Sequence, residues 1–108
     1  MRSRINRIKR NMRFLWQRIT RGWDDSDTWE LDFTIAKFVL PRLKRFKELN
    51  LLYPPETTEE QWDKDLDDII FAMEVEVYGN ENKLGPEGWD RVHKGFQLFG
   101  KHFRGLWW

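Results

Sequence analysis

The chain reads TEEQWDKDLDDIIFAMEVEVY over residues 58–78, and this pattern predicts an amphipathic helix. Thr58 and Gln61 have the spacing of a capping box, in which side chains bond the free backbone N–H groups of a first helical turn. The apolar side chains that follow recur every three or four residues, as they do on one face of a helix. These side chains are Trp62, Leu66, Ile69, Ile70, Met73 and Val77.

A second amphipathic pattern lies at the N-terminus, where a helix is predicted from about Ser3 to Thr20. Its Arg and Lys residues fill the side opposite an apolar stripe, so we expect the stripe to face the core. Gly22 then offers a C-terminal stop, because glycine readily adopts the left-handed conformation that ends many helices. The stripe consists of Ile5, Ile8, Met12, Leu15 and Ile19.

Between these two, a helix is predicted from Ser26 or Asp27 to about Leu49, with Asp27 and Glu30 as its capping box. It carries two apolar stripes and is therefore expected to be the central helix, covered on both sides. Pro41 lacks a backbone N–H and clashes with the preceding turn, which predicts a kink or a break. The stripes are Trp29, Phe33, Ala36, Leu40 and Leu43, and Leu31, Ile35, Phe38, Val39, Phe46 and Leu49.

The last predicted helix begins at about Trp89, after a polar loop over residues 80–88, and runs towards the C-terminus. Gly95 and Gly100 are poor helix formers and indicate places where helices approach closely. Its apolar stripe is Val92, Phe96, Phe99, Phe103 and Leu106. The chain is thus predicted to be all-α: one domain over residues 1–108, built as a bundle of about four helices.

Charge is unevenly distributed along the chain. Residues 1–21 carry a charge of +8 with no acidic residue, and the remainder carries −7, which gives the net charge of +1. The basic segment is expected either to bind nucleic acid phosphates or to pair with the acidic helix at residues 58–78. The arginines considered for nucleic acid are Arg7, Arg10, Arg13 and Arg18, and those considered for pairing with the acidic helix are Arg7, Arg13 and Arg18. No apolar run approaches the length of a membrane span, and a membrane-surface role is not expected because the apolar stripe is assigned to the core.

Few side chains support catalysis, and the chain is predicted not to be an enzyme or to need a cofactor. There is no Cys, which excludes a thiolate nucleophile or metal ligand. His93 and His102 are nine residues apart and so lie on opposite faces of a straight helix, where each is expected to be a partly exposed polar residue. A metal-dependent nucleotide hydrolase stays a weak alternative, through Glu60, Asp63 and Asp67 on one helix face. Such a site needs acids from a second helix, so a solvated face is the simpler interpretation.

Aromatic and basic residues together suggest a binding site for a small anion. Tryptophan faces stack on nucleobases, and arginine side chains bind phosphate with paired hydrogen bonds. A helical protein or its oligomer can build a nucleotide pocket from such side chains. The candidates are Trp23, Trp29, Lys37, Arg42, Lys44, Arg45, Arg104, Trp107 and Trp108. The alternative is that the tryptophans belong to the core and the basic residues lie at helix ends.

Several motifs resemble those of a family of small uncharacterised bacteriophage proteins. They are RGWDDSDTWELD at residues 21–32, IAK at 35–37, LP at 40–41 and TEEQWD at 58–63, together with the aromatic C-terminal helix. The resemblance implies a phage accessory protein made in the cytoplasm of an infected bacterial host. It implies no activity and no functional residues.

Two classes of function follow from these observations. The first is a non-enzymatic antagonist of host defence that sequesters a small anionic ligand, such as a nucleotide signal. The second is a protein-interaction module that inhibits a host protein, and nucleic-acid binding through the N-terminal helix is a further alternative. The sequence leaves open whether Trp107 and Trp108 pack within one chain or between two copies.

Overall fold

The computed structural model describes residues 2–50, 52–79 and 83–107. In these ranges the chain forms four α-helices and no strand, which confirms the predicted all-α class. The helices are α1 (Arg2–Arg21), α2 (Leu31–Leu49), α3 (Glu59–Tyr78) and α4 (Pro86–His102). Short 3₁₀ helices precede α2 at Asp25–Thr28 and follow α4 at Phe103–Gly105.

The chain divides into two compact units, Met1–Thr34 and Ile35–Trp108. The single domain expected over residues 1–108 therefore stays a prediction. No helix in the described ranges is both long enough and apolar enough to cross a membrane.

In the first unit, α1 ends where the sequence predicts. Gly22 has a φ of 82°, in the left-handed region that favours glycine, and its N–H bonds the carbonyl of Arg18 at 2.9 Å. A capping box follows α1, but it is formed by Asp24 and Asp27 and not by the predicted pair. Asp24 Oδ1 accepts from the backbone N–H of Ser26 at 2.8 Å, and the N–H of Asp24 bonds Asp27 Oδ2 at 3.2 Å.

The capping box predicted at Asp27 and Glu30 is therefore wrong, and so is a helix start at Ser26 or Asp27. The pair Asp24 and Asp27 has the same three-residue spacing, and Arg18 at the end of α1 holds Asp24 in place. The residues up to Thr28 form a 3₁₀ turn, and α2 begins only at Leu31.

The predicted core face of α1 is also wrong. Its five stripe residues are exposed, as is Trp16 beside them. The buried apolar residue of α1 is Phe14, on the other side of the helix, where its ring meets Trp29 edge-on with centroids 5.4 Å apart. The chain's own contacts therefore occupy the basic side of α1.

In the second unit, one hydrophobic cluster joins α2 and α3 with partly buried residues of α4, and a second joins α3 and α4 through Ala72, Val75 and Val92. The stripe predicted for α3 is confirmed: four of its residues are buried, and Ile70 and Val77 are half-buried against them. The α2 stripe containing Ala36, Leu40 and Leu43 is buried with it. The other stripe is divided: Val39 and Phe46 are partly buried against this core, as expected, whereas Ile35 and Phe38 are exposed. The buried residues of α3 are Trp62, Leu66, Ile69 and Met73.

Pro41 lies on an exposed part of α2, and the helix continues through it to Leu49. The break predicted as one alternative therefore does not occur. A proline on the solvent side costs the helix one backbone hydrogen bond where water can replace it. A kink at this position stays a prediction.

Helices α3 and α4 approach closely at Gly95. A Cβ atom at this position would lie 2.4 Å from the carbonyl oxygen of Asp68 and 2.7 Å from the Cβ of Ala72. The prediction of close helix approach is therefore confirmed for Gly95. It is wrong for Gly100, where a Cβ atom would meet no other atom within 4 Å. The side chain of Asp68 ties the same pair of helices, since its Oδ1 accepts from Arg91 Nε at 2.9 Å.

The face that α4 buries overlaps the predicted stripe only in part. Val92 is buried, and Phe99 and Leu106 are partly buried against the core, as predicted. Phe96 and Phe103 are exposed, and Gly95 and His102 are buried instead. The difference lies at Gly95, where α4 packs against the backbone of α3, and this contact brings Gly95 to the buried side. The helix also begins earlier than expected, because Pro86 takes the first turn, where a proline needs no N–H partner. Of the loop predicted over residues 80–88, residues 80–82 lie outside the described ranges and 86–88 are helical.

Candidate functional site

A cavity of about 510 Å³ opens in the second unit, between the α2–α3 connector and the C-terminal end of α4. The connector makes a turn over residues 54–57, where the N–H of Thr57 bonds the carbonyl of Pro54 at 3.1 Å, and its residues 52–56 line one wall. The 3₁₀ helix that follows α4 supplies the other wall. The lining residues are Leu52, Tyr53, Pro54, Pro55, Glu56, Lys101, His102, Arg104, Gly105 and Trp107.

The cavity wall combines positive charge with aromatic surface. Lys101 and Arg104 contribute two cations against the single carboxylate of Glu56. The rings of Tyr53 and Trp107 line the same space and are exposed to solvent. Cationic side chains bind anions through charge-assisted hydrogen bonds, and exposed rings offer faces for stacking.

A buried polar pair forms part of this wall. His102 Nε2 lies 2.9 Å from Asp65 Oδ2, and both side chains are 6% exposed. The amide of Gln61 donates to the other oxygen, Asp65 Oδ1, at 2.7 Å. The imidazole also meets the ring of Trp62 edge-on, with centroids 4.9 Å apart. These contacts fix the orientation of the imidazole, which borders the cavity.

The prediction for His102 as a partly exposed residue is wrong, while His93 is exposed as expected. Asp65 is not among the site residues predicted from the sequence. The signal was present in the sequence, because Asp65 lies three residues after Trp62 and four before Ile69, within the apolar stripe of α3. An acid in such a position needs a buried partner.

Of the predicted ligand residues, Arg104 and Trp107 line the cavity together. Trp108 lies outside the described residues. Trp23 and Trp29 belong to the first unit, where the guanidinium of Arg21 stacks on Trp23 at 3.7 Å and that of Arg10 lies 5.6 Å from Trp29.

The predicted ligand residues on α2 make local contacts instead. The guanidinium carbon of Arg42 lies 3.8 Å from the ring centroid of Phe38, and Arg42 Nη1 donates to the backbone carbonyl of Phe38 at 3.0 Å. Arg45 pairs with Glu48 at 2.8 Å. Lys37 is exposed, and Lys44 lies 3.5 Å from Glu74 of α3.

The arginines considered for nucleic acid divide into two sets. Arg7 and Arg10 border a shallow groove on α1. Arg18 pairs with Asp24 at 2.7 Å, and Arg13 lies 3.9 Å from Asp25. The carboxylates that hold Arg13 and Arg18 thus come directly after α1.

The acids considered for a metal do not converge. Glu60, Asp63 and Asp67 are exposed, and Asp67 pairs with Lys47 of α2. Within the described part of the chain, no three His, Asp or Glu side chains form a group that could hold a metal ion.

No family model matches this chain, and neither a curated protein nor a solved structure is significantly similar to it.

Proposed function

We propose that this protein binds and retains a small anionic ligand that carries a planar ring, of the chemical class of nucleotides. The observation that supports the proposal is the cavity itself, where two cations and two aromatic rings line one space. Its volume of about 510 Å³ falls in the range of small-molecule sites.

Each group in the wall has a distinct part in this interaction. Lys101 and Arg104 neutralise the anionic group of the ligand, and the guanidinium can bond two phosphate oxygens at once. Tyr53 or Trp107 stacks on the planar ring. Because Asp65 already fixes the imidazole of His102, ordering that side chain costs little when the ligand binds.

The biological role we propose is sequestration. We propose that the protein is a phage accessory protein and that it withdraws a nucleotide signal from a host defence system by holding it. Of the described residues in the predicted ligand set, Arg104 and Trp107 line the cavity.

The first test is native mass spectrometry of protein purified gently from its expression host, followed by calorimetry with a panel of linear and cyclic nucleotides. We expect a nucleotide-sized mass or a saturable heat, and chromatography should recover the nucleotide unchanged. If no nucleotide binds, the proposal fails, and capture of a host protein becomes the function to test.

Matched variants locate the binding site. Arg104→Gln and Trp107→Ala should each weaken binding by about tenfold or more, through loss of a charge-assisted hydrogen bond or of a stacked ring. Arg45→Gln and Trp23→Ala remove the same residue types outside the cavity and should leave affinity unchanged. If the control variants lost as much affinity as the two cavity variants, the cavity would be ruled out as the binding site.

A further inference from the structure

Six apolar side chains of α1 are exposed on one side of the helix. Their exposed fractions range from 47% to 74%. At about 3.6 residues per turn they fall within an arc of about 100°, and no polar or charged residue of α1 lies inside that arc. The six residues are Ile5, Ile8, Met12, Leu15, Trp16 and Ile19.

Basic residues border this apolar arc. On the same helical projection, Arg4 lies just beyond one edge and Lys9 just beyond the other. Residues 1–21 contain eight Arg and Lys residues and no acid. A helix of 20 residues with an apolar stripe between basic flanks has the composition of a helix that lies in a membrane interface.

The contacts that α1 makes within its own unit leave the apolar arc uncovered. Phe14 contacts Trp29, Gln17 donates to Asp25 at 2.9 Å, and Arg18 pairs with Asp24 at 2.7 Å. These three side chains of α1 all lie on the half of the helix opposite the arc. The segment that follows α1 therefore contacts the side of the helix opposite the apolar arc.

We propose that α1 binds in the plane of an anionic lipid surface. The apolar arc enters the boundary between headgroups and acyl chains, and the flanking Arg and Lys side chains bind lipid phosphates. Trp16, at the edge of the arc, takes the interfacial position that tryptophan favours.

Charge complementarity selects this occupant over two others. A second copy would bring like charges together, because the residues that border the arc, Arg4 and Lys9, are basic and α1 has no acid to pair with them. Nucleic acid would use the basic residues but leave the six apolar side chains in water. An anionic membrane accommodates both features of the helix. This inference is independent of the cavity, which lies in the second unit.

The test is co-sedimentation of the full chain with vesicles of phosphatidylcholine alone or mixed with phosphatidylglycerol. We expect binding to the mixed vesicles and little to the neutral ones. Replacing Ile8 and Ile19 together by serine should weaken binding about tenfold or more, because two inserted apolar side chains are lost. Replacing Ile35 and Phe38, exposed apolar residues of α2, by serine is the matched control and should leave binding unchanged.

A second measurement reports which side of α1 meets the lipid. The chain has no Cys, so Met12→Cys and Asn6→Cys each accept one environment-sensitive fluorophore. The label at Met12 should shift to the blue on mixed vesicles, and the label at Asn6, on the polar side, should not. Equal shifts, equal binding to both vesicle types, or no binding would overturn the proposal. So would stronger binding to duplex DNA that survives the Ile8 and Ile19 substitutions, or a lipid-free dimer that those substitutions dissociate.

Discussion

The imidazole of His102 and the carboxylate of Asp65 form a buried contact, 2.9 Å from Nε2 to Oδ2, between the end of α4 and the first turns of α3. A polar contact in the interior is directional, whereas apolar packing tolerates rotation of a helix. The pair therefore helps to select the face that α4 turns inward, and it borders the cavity proposed as the ligand site.

Asp65→Ala should lower the free energy of unfolding by about 2–4 kcal/mol. The substitution leaves His102 Nε2 buried without its partner and also removes the acceptor of the Gln61 amide. Urea unfolding followed by circular dichroism measures the effect. Asp63→Ala, an exposed acid on the same helix, should change stability by less than about 0.5 kcal/mol. Similar losses in the two variants would show that the buried pair contributes little.

Gly95 and Gly100 of α4 should respond in opposite directions to alanine. Gly95→Ala forces a Cβ against the backbone of Asp68 and should destabilise the protein by about 1–3 kcal/mol. Gly100→Ala meets no neighbour and should stabilise it by about 0.5–1 kcal/mol through helix propensity. Thermal unfolding measures the stability of both variants. A stabilising effect of Gly95→Ala would contradict the close packing of α3 on α4.

Local patterns of the sequence predicted the elements of the fold well. The stripe from Trp62 to Met73 and the stop at Gly22 depend on spacing within one helix, so they can be recognised without tertiary information. The choice of buried face could not be predicted in the same way. The apolar stripe of α1 shows that a face exists, but Phe14 is buried instead because Trp29 and Asp24 lie against the other side.

The candidate site was only partly predictable for a related reason. Arg104 and Trp107 were expected from residue type alone, but the opposite wall is the irregular segment from Leu52 to Glu56, which has no periodic pattern. Irregular segments acquire their positions from the helices they connect. Among the residues that sequence reasoning missed, which include Tyr53 and Lys101, Asp65 carried a usable signal as an acid within an apolar stripe.

The turn that follows α1 should loosen in acid. The hydroxyl and the backbone N–H of Ser26, with Arg18, hold the pKa of Asp24 below its ordinary value of 3.8 against the opposing effect of burial. The side chain of Gln17, followed by Arg21, lowers the pKa of Asp25 in the same way. Because both folded pKa values are depressed, their stabilisation is complete above pH 3.8 and is lost as the pH falls below it.

NMR can follow this change through the Asp24 carboxyl carbon and the indole signal of Trp29. Ser26→Ala should raise the pKa of Asp24, so that the contact between Trp29 and Phe14 is lost at a higher pH. Ser3→Ala changes the chain's other serine and should leave the titration where it was. An unchanged Asp24 titration in Ser26→Ala would show that the hydroxyl does not stabilise the carboxylate.

Substitution of Glu56 tests whether the ligand is an anion. Glu56 is the one carboxylate among the described residues that line the cavity. Glu56→Gln removes repulsion from a bound anion and should tighten its binding by about two- to fivefold, as expected for a solvent-exposed charge. Arg104→Gln should act in the opposite direction on the same ligand. Calorimetry at two salt concentrations measures both changes, and each should shrink as salt rises. If Glu56→Gln weakened binding while Arg104→Gln strengthened it, the cavity would be a site for cations, and the proposal of an anionic ligand would fail.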